Sequence, residues 1–264
     1  MAIYITGDTH GGINGMKLKS KYFPSYENVT KDDILIILGD FGYIYEPEHR
    51  KDLKKKEYNK MIHTFKNRKW GSVLFIDGNH ENFDRLNNYP EVDMFGGKVG
   101  KIEDGIYHLK RGYIYEIQGH TVLTFGGANS VAKHTLIEGI DWWKDEKFNY
   151  SESNRAFDNL EKYNFNVDII LSHTCSFSAL EYLSKYLNRT MYEPDEFNRL
   201  FEEFKHRIKY KKWFFGHHHV DLELKDDEIA VFKDFYKVSK NTDNKNLNIK
   251  KLSGYDLHQN KWYE

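Results

Sequence analysis

Four short apolar runs, rich in β-branched residues, constrain the fold of this chain more than any other feature. They read AIYIT at 2–6, DILIIL at 33–38, SVLFI at 72–76 and VDIILS at 167–172, and KWFFG at 212–216 resembles them. Apolar runs of this length are typical of strands buried on both faces. Helical patterns lie between them, at 47–67 and at 151–164, where Ser151 is expected to cap the helix. Strands that alternate with helices predict an α/β fold.

The middle and the end of the chain differ from this pattern. Residues 99–125 read as several short strands broken by glycine turns, and residues 220–238 read as a further antiparallel pair. We expect these strands to add a second, mixed sheet. Because no internal repeat or long Pro/Gly/Ser linker divides the chain, residues 1–264 are predicted to form a single domain.

Composition excludes some functions and suggests a compartment. Lys and Arg number 39 against 40 Asp and Glu, so the net charge of -1 gives no overall attraction to nucleic acid or membranes. The lysine-rich stretch at 50–69 is interpreted as a solvated helix face rather than a polyanion site. The single cysteine, Cys175, excludes an internal disulfide. With no signal-peptide or membrane-spanning pattern, the sequence predicts a cytoplasmic protein.

Each apolar run ends in a polar cluster, and most of these clusters contain glycine. They are GDTHG at 7–11, GDFG at 39–42, GNHE at 78–81, LSH ending at His173, and GHHH at 216–219. In an open α/β sheet, the loops at the carboxyl ends of parallel strands meet in one crevice, where ligands bind. We therefore expect the five clusters to come together in space.

The side chains in these clusters are oxygen and imidazole donors. They are Asp8, His10, Asp40, Asn79, His173, His217 and His219, with His80 beside them. Such donors suit Mn, Fe or Zn, and the missing thiolates argue against a structural zinc site. Seven donors are too many for one ion with an open position, but they suffice for two ions that share a carboxylate.

In this order, the five clusters resemble the calcineurin-like metallophosphoesterase superfamily. The resemblance implies a four-layer α/β/β/α sandwich with two mixed β-sheets. It also implies that His80 donates a proton to the leaving oxygen, whereas His218 falls on a variable position. The implied ligands are Asp8, His10 and His219 for one ion and Asn79, His173 and His217 for the other, with Asp40 between them. Glu81 is expected to pair with a ligand histidine or a backbone amide.

The segment FGGANSVAKHTLIEGIDWWKDE at 125–146 is similar to a bacterial and phage-borne branch of the superfamily. In that branch an acidic residue is expected near position 132, where this chain has Ala132, and an arginine is expected shortly after it. The departure concerns substrate contacts rather than metals. Trp142 and Trp143 either wall the pocket or anchor the loop in the core, and both interpretations stay open.

The implied activity is hydrolysis of a phosphate ester by a hydroxide that bridges two divalent transition-metal ions, with manganese favoured over iron or zinc. Protein phosphatases of the superfamily follow the second cluster with Asp-Arg-Gly, but this chain reads GDFGYIYEP. Without that arginine, a phosphodiesterase is slightly favoured. The alternatives are a phosphomonoesterase or protein phosphatase that uses Arg85, Arg111 or Lys133, and a catalytically silent metal-binding scaffold. A nucleic-acid substrate also stays open.

Overall fold

A computed structural model describes residues 1–24, 26–65, 69–131, 133–190, 193–240 and 247–253. The strands are β1 (Ile3–Thr6), β2 (Ile34–Leu38), β3 (Ser72–Ile76), β4 (Glu91–Met94), β5 (Gly97–Glu103), β6 (Ile106–Leu109), β7 (Tyr113–Ile117), β8 (His120–Phe125), β9 (Ile169–Ser172), β10 (Lys212–Phe215), β11 (Leu222–Glu223), β12 (Glu228–Ala230), β13 (Phe235–Lys240) and β14 (Leu247–Leu252). The helices are α1 (Lys51–Phe65), α2 (Phe83–Leu86), α3 (Tyr150–Lys162), α4 (Phe177–Tyr186) and α5 (Glu196–Arg207).

The strands form two mixed sheets. The first sheet has the order β14-β13-β1-β2-β3-β6-β5-β4, and the second has the order β11-β12-β10-β9-β8-β7. Parallel strands make up the centre of each sheet: β1, β2, β3 and β6 in the first, and β12, β10, β9 and β8 in the second. Antiparallel strands flank both centres. The expected pair of mixed sheets is confirmed.

Three apolar cores separate four layers. The middle core contains side chains from the inner faces of both sheets, such as Ile36 and Phe214. Met61 of α1 packs on the outer face of the first sheet, and Phe204 of α5 packs with α3 and α4 on the outer face of the second. Full burial of a large apolar side chain stabilises the folded state by about 1.5–3 kcal/mol. The layer order is therefore α/β/β/α, as expected.

Some boundaries differ from the expectations. Strands β5 and β6 complete the first sheet instead of joining the second, which receives only β7 and β8 from the middle of the chain. Likewise β11 and β12 lie in the second sheet, whereas β13 pairs with β1 in the first. Helix α1 begins at Lys51 rather than at 47, and positions 66 and 67 of the predicted helix lie outside the described residues.

The cap predicted for α3 was wrong. The Asn149 side chain accepts the backbone N–H of Glu152 at 3.1 Å, and the Glu152 carboxylate accepts the backbone N–H of Asn149 at 2.8 Å. This reciprocal capping box satisfies two N–H groups, so the helix begins at Tyr150 and Ser151 lies inside its first turn.

Two other expectations concern the compartment and the domain count. Cys175 is buried and unpaired. Among the described helices, none is long and apolar enough to cross a membrane. A cytoplasmic location and a single domain over 1–264 both stay predictions.

Candidate metal centre

The loops after β1, β2 and β3 of the first sheet meet the loops after β9 and β10 of the second. Asp8 Oδ2, from the first sheet, lies 3.0 Å from Nε2 of His219, from the second. Asp40 Oδ1 lies 3.3 Å from Nε2 of His173. The convergence expected from the five sequence clusters is therefore present, and it occurs across the two sheets.

The first group of donors contains Asp8, His10, Asp40 and His219. Each of these side chains offers one donor atom, and the donor atoms all lie within 4.8 Å of one another. His10 Nε2 is 3.1 Å from Asp40 Oδ2. Asp8 and Asp40 are buried, whereas the His219 side chain is 47% exposed. This group is therefore open to solvent on one side.

The second group contains Asp40, His173 and His217, so Asp40 belongs to both groups. The His173 and His217 rings are 5.0 Å apart between their centroids. Asn79 directs its amide oxygen to the same place, 3.3 Å from His173 Nε2. The structure thus brings all seven sequence-predicted donors into two adjoining groups that share one carboxylate.

Hydrogen bonds fix the orientation of two donor rings. His10 Nδ1 lies 2.8 Å from Asn14 Oδ1, and His173 Nδ1 lies 2.7 Å from the carbonyl oxygen of Leu38. An N–H donated from Nδ1 leaves Nε2 as the ligand atom, which is the usual arrangement at metal-binding histidines. The sequence did not point to Asn14, because no motif surrounds it and its role depends on the short 3-10 turn at His10–Gly12.

Backbone conformation at the site is unusual. Four of the donors have positive φ angles, namely His10 (44°), Asp40 (44°), His217 (64°) and His219 (53°). Each such conformation costs about 1–3 kcal/mol in a residue other than glycine, and such residues concentrate at functional sites. This strain is an observation in favour of a ligand site at this place.

The glycines of the clusters allow close approach. A Cβ on Gly78 would lie 2.2 Å from Asp40 Oδ1, and a Cβ on Gly216 would lie 2.5 Å from Asp8 Oδ1. Neither contact is sterically tolerable. Glycine therefore stands at these two positions because a carboxylate occupies the space of a side chain.

Glu81 connects two of the loops. Its Oε1 accepts the backbone N–H of Phe41 at 2.6 Å, and its Oε2 accepts the backbone N–H of Gly78 at 2.8 Å. Burial, followed by the nearby Asp40 carboxylate, raises the pKa of Glu81 to about 8. Of the two expected roles, pairing with a backbone amide is the one observed, and it holds the loop after β2 against the loop after β3.

Charges at the site are strongly coupled. Burial alone would raise the pKa of Asp40, but His173 and His10 hold it well below its ordinary value. Burial would lower the pKa of His173, but Asp40 outweighs burial and raises the pKa to about 10. Burial and the His173 charge lower the pKa of His217 well below its ordinary value. Fully buried carboxylates need nearby positive charge, and divalent cations fit this donor set.

His80 lies beside the donors without joining either group. Its backbone N–H donates to Asp40 Oδ1 at 2.9 Å, and its ring is 5.5 Å from the His10 ring. Its exposed position leaves the imidazole open to a substrate. His218, which was excluded from the predicted ligands, instead approaches Cys175 Sγ at 3.2 Å.

Two candidate cations for substrate binding are engaged elsewhere. Buried Arg85 donates from Nη1 to Glu57 Oε2 at 2.6 Å. Buried Arg111 donates to Asp77 Oδ2 from Nε at 2.8 Å and from Nη2 at 2.5 Å. Both guanidinium groups therefore have structural partners, and neither belongs to the donor groups.

Lys133 is connected to a candidate ligand through side-chain contacts. Its Nζ is 2.6 Å from Glu146 Oε1, and Ser130 donates to Glu146 Oε2 at 2.8 Å. The same Ser130 hydroxyl accepts from Asn79 Nδ2 at 3.3 Å. A chain of contacts thus joins Lys133 to one of the candidate ligands, and Lys133 Nζ also lies 4.7 Å from the centroid of the Trp142 ring.

The paired tryptophans have different positions. Trp143 is buried in the core of the first sheet and donates from Nε1 to Asp84 Oδ2 at 3.0 Å. It therefore anchors its loop. Trp142 lies under Lys133. Ala132 lies outside the described residues.

Comparison with known proteins identifies the family. The family model for calcineurin-like phosphoesterases matches residues 1–221, which include all seven donors and His80. The chain belongs to this family. Membership of the calcineurin-like phosphoesterases agrees with the layered fold and with the resemblance of the five sequence clusters.

Among solved structures, the chain is similar to the sulfate thiohydrolase SoxB of Thermus thermophilus in complex with glycerol. The two are 13% identical with a TM-score of 0.42, and the match covers 94% of this chain and 43% of that one. The chain thus spans less than half the length of that protein. A search of curated proteins finds no match.

Proposed function

We propose that this calcineurin-like phosphoesterase is a dinuclear metal-dependent enzyme that hydrolyses phosphodiesters at least as well as phosphomonoesters. The observation that carries the proposal is the sharing of Asp40 between two groups of donors. Asp8, His10 and His219 would hold one ion, and Asn79, His173 and His217 would hold the other. Manganese is the ion we propose, and iron and zinc suit the same oxygen and imidazole donors.

The chain's own residues have distinct roles in this proposal. Two divalent ions, when bound, would supply an activated water and would neutralise charge on the phosphate. The backbone N–H groups of Asn79 and His80 hold Asp40 in place, at 3.0 and 2.9 Å from its Oδ1. The His80 imidazole, which lies outside both donor groups, gives a proton to the leaving oxygen. Glu81 holds the loop after β2 against the loop after β3.

The positions of the candidate cations favour a diester substrate. A phosphomonoester carries almost two negative charges near neutral pH and benefits from a guanidinium fork, whereas a diester carries one. Arg85 and Arg111 both pair with buried carboxylates, and Lys133 pairs with Glu146. These pairings support a site that relies mainly on the metals for binding phosphate.

We expect kcat/KM for bis(p-nitrophenyl) phosphate to equal or exceed kcat/KM for p-nitrophenyl phosphate. Both esters are assayed with added Mn²⁺ at the same pH. Lys133→Ala serves as the comparison, because Lys133 is the candidate cation with contacts that lead to a candidate ligand. A strong monoester preference that disappears in Lys133→Ala would overturn the diester proposal and assign monoester binding to Lys133.

A further inference from the structure

A cavity of about 380 Å³ opens beside the metal centre. His10 and His80 form its inner end. We call it the α1 groove, and its outer walls include Ile13, Tyr45, Glu46, Leu53, Lys56 and Lys60. Its volume is typical of small-molecule sites. Because His80 is the proposed proton donor, the groove begins where a leaving group would depart.

One face of α1 gives the groove positive charge. Leu53, Lys56 and Lys60 are three and four residues apart, so they lie on the same side of the helix. Within the described part of the chain, no carboxylate forms an ion pair with Lys56 or Lys60. Glu57, on the same face, is neutralised by Arg85 at 2.6 Å. Two ammonium groups without an ion-pair partner among the described residues therefore border the groove, which the Glu46 carboxylate also lines.

The walls also offer apolar surface and a hydrogen-bond acceptor. Ile13, Tyr45 and Leu53 supply the apolar surface. Glu46 Oε2 is buried and has no hydrogen-bond partner among the described residues, although Arg50 Nη1 lies 3.8 Å away. An acceptor of this kind suits an N–H or O–H donor on a ligand.

We propose that the α1 groove binds a nucleotide unit on the leaving-group side of the scissile phosphate. A nucleotide combines the three matching features: a flat ring for the apolar walls, N–H and O–H donors for Glu46, and a further phosphate for Lys56 and Lys60. Aromatic and basic groups together are typical of sites that bind single-stranded nucleic acid. The net charge of the whole chain, -1, gives no indication of this local group of lysines.

The inference rests on the proposed phosphoesterase function. Hydrolysis breaks the P–O bond to the bound nucleotide and forms a P–O bond to water. The leaving oxygen takes a proton from His80, while the attacking water releases one to solvent. The nucleotide then leaves through the open end of the groove.

The test compares two double variants of α1. Lys56→Ala with Lys60→Ala removes the groove lysines, and Lys51→Ala with Lys55→Ala removes the same charge from another cavity along the same helix. The substrates are a thymidine dinucleotide with a phosphate at each end and the same dinucleotide without terminal phosphates. The measured ratio is kcat/KM for the dinucleotide with terminal phosphates divided by kcat/KM for the dinucleotide without them. We expect the groove variant to lower this ratio about tenfold, and the control variant to change it less than about twofold.

A binding measurement separates the inference from the proposed hydrolysis. Calorimetry of the metal-loaded protein compares thymidine 3′,5′-bisphosphate with inorganic phosphate. We expect the bisphosphate to bind more tightly, and its advantage to fall about tenfold in the groove variant only. Lysine-dependent binding without hydrolysis of any ester would support the groove and refute the phosphoesterase. Hydrolysis with no bisphosphate advantage would refute the groove alone.

Hydrolysis of octathymidylate shows whether the groove takes a single nucleotide or part of a longer strand. A kcat/KM well above that of the dinucleotide would indicate a strand that continues along α1. Equal values would indicate a single nucleotide, and both results are compatible with the proposed groove. If the ratio of kcat/KM for the two dinucleotides is the same in the wild type and in both double variants, the proposed groove is refuted.

Discussion

Asp40→Asn should yield a folded protein that retains almost no metal and has almost no turnover. Asp40 belongs to both donor groups, so its loss weakens both sites at once. Removing even an outer partner of a metal ligand typically costs about 10–100-fold in affinity or activity, and a shared ligand should cost more than about 100-fold. Elemental analysis after dialysis, together with turnover of bis(p-nitrophenyl) phosphate, measures both effects.

The substitution is conservative with respect to folding. An asparagine Oδ1 can still accept the backbone N–H groups of Asn79 and His80 that Asp40 now accepts. Asp93→Asn makes the same chemical change at an exposed position on strand β4 and is the matched control. Wild-type metal content and turnover in Asp40→Asn would contradict the assignment of a shared carboxylate.

His80→Ala should keep the metals and lose most activity on esters with poor leaving groups. Its ring belongs to neither donor group, and its backbone N–H to Asp40 is unaffected by the change. A positioned acid typically contributes about 10²–10⁴-fold, so an alkyl phosphodiester should be hydrolysed more slowly by about that factor. The loss should be much smaller for a nitrophenyl ester, because nitrophenolate leaves without a proton.

The comparison of the two leaving groups decides the role of His80. His63→Ala removes an exposed histidine of α1 and should leave both rates near those of the wild type. Equal losses on both esters in His80→Ala would mean that His80 positions the phosphate instead of protonating the leaving oxygen. Loss of metal would place His80 among the ligands.

The side chains singled out in the sequence lie together in the structure, and the signal that marks them is local. An apolar run followed by glycine and by a carboxylate or an imidazole shows both where a strand ends and which side chain is a candidate donor. Parallel strands then bring such ends together. The glycines at 78 and 216 are visible in the sequence, but their cause is not local, since the carboxylates that fill the space of their missing side chains belong to the distant Asp40 and Asp8. Family and fold therefore followed from five short clusters.

Other features depend on contacts that are distant in sequence. Glycine turns at 99–125 marked strand ends, but the choice of sheet depends on long-range pairing, so β5 and β6 were placed in the wrong sheet. The support of His10 by Asn14 requires the 3-10 turn. The helical period places Lys56 and Lys60 on one face of α1, but only the packing of α1 beside His10 turns that face toward the centre.

The most direct test of the central claim is a manganese titration of the metal-free protein. Bound Mn²⁺ per chain and the rate of bis(p-nitrophenyl) phosphate hydrolysis are measured on the same samples. We predict that binding saturates at two ions per chain, and that turnover follows occupancy of the second ion, because both donor groups contribute to the proposed centre. Full turnover with one ion bound, or no hydrolysis with two, would contradict a dinuclear phosphoesterase.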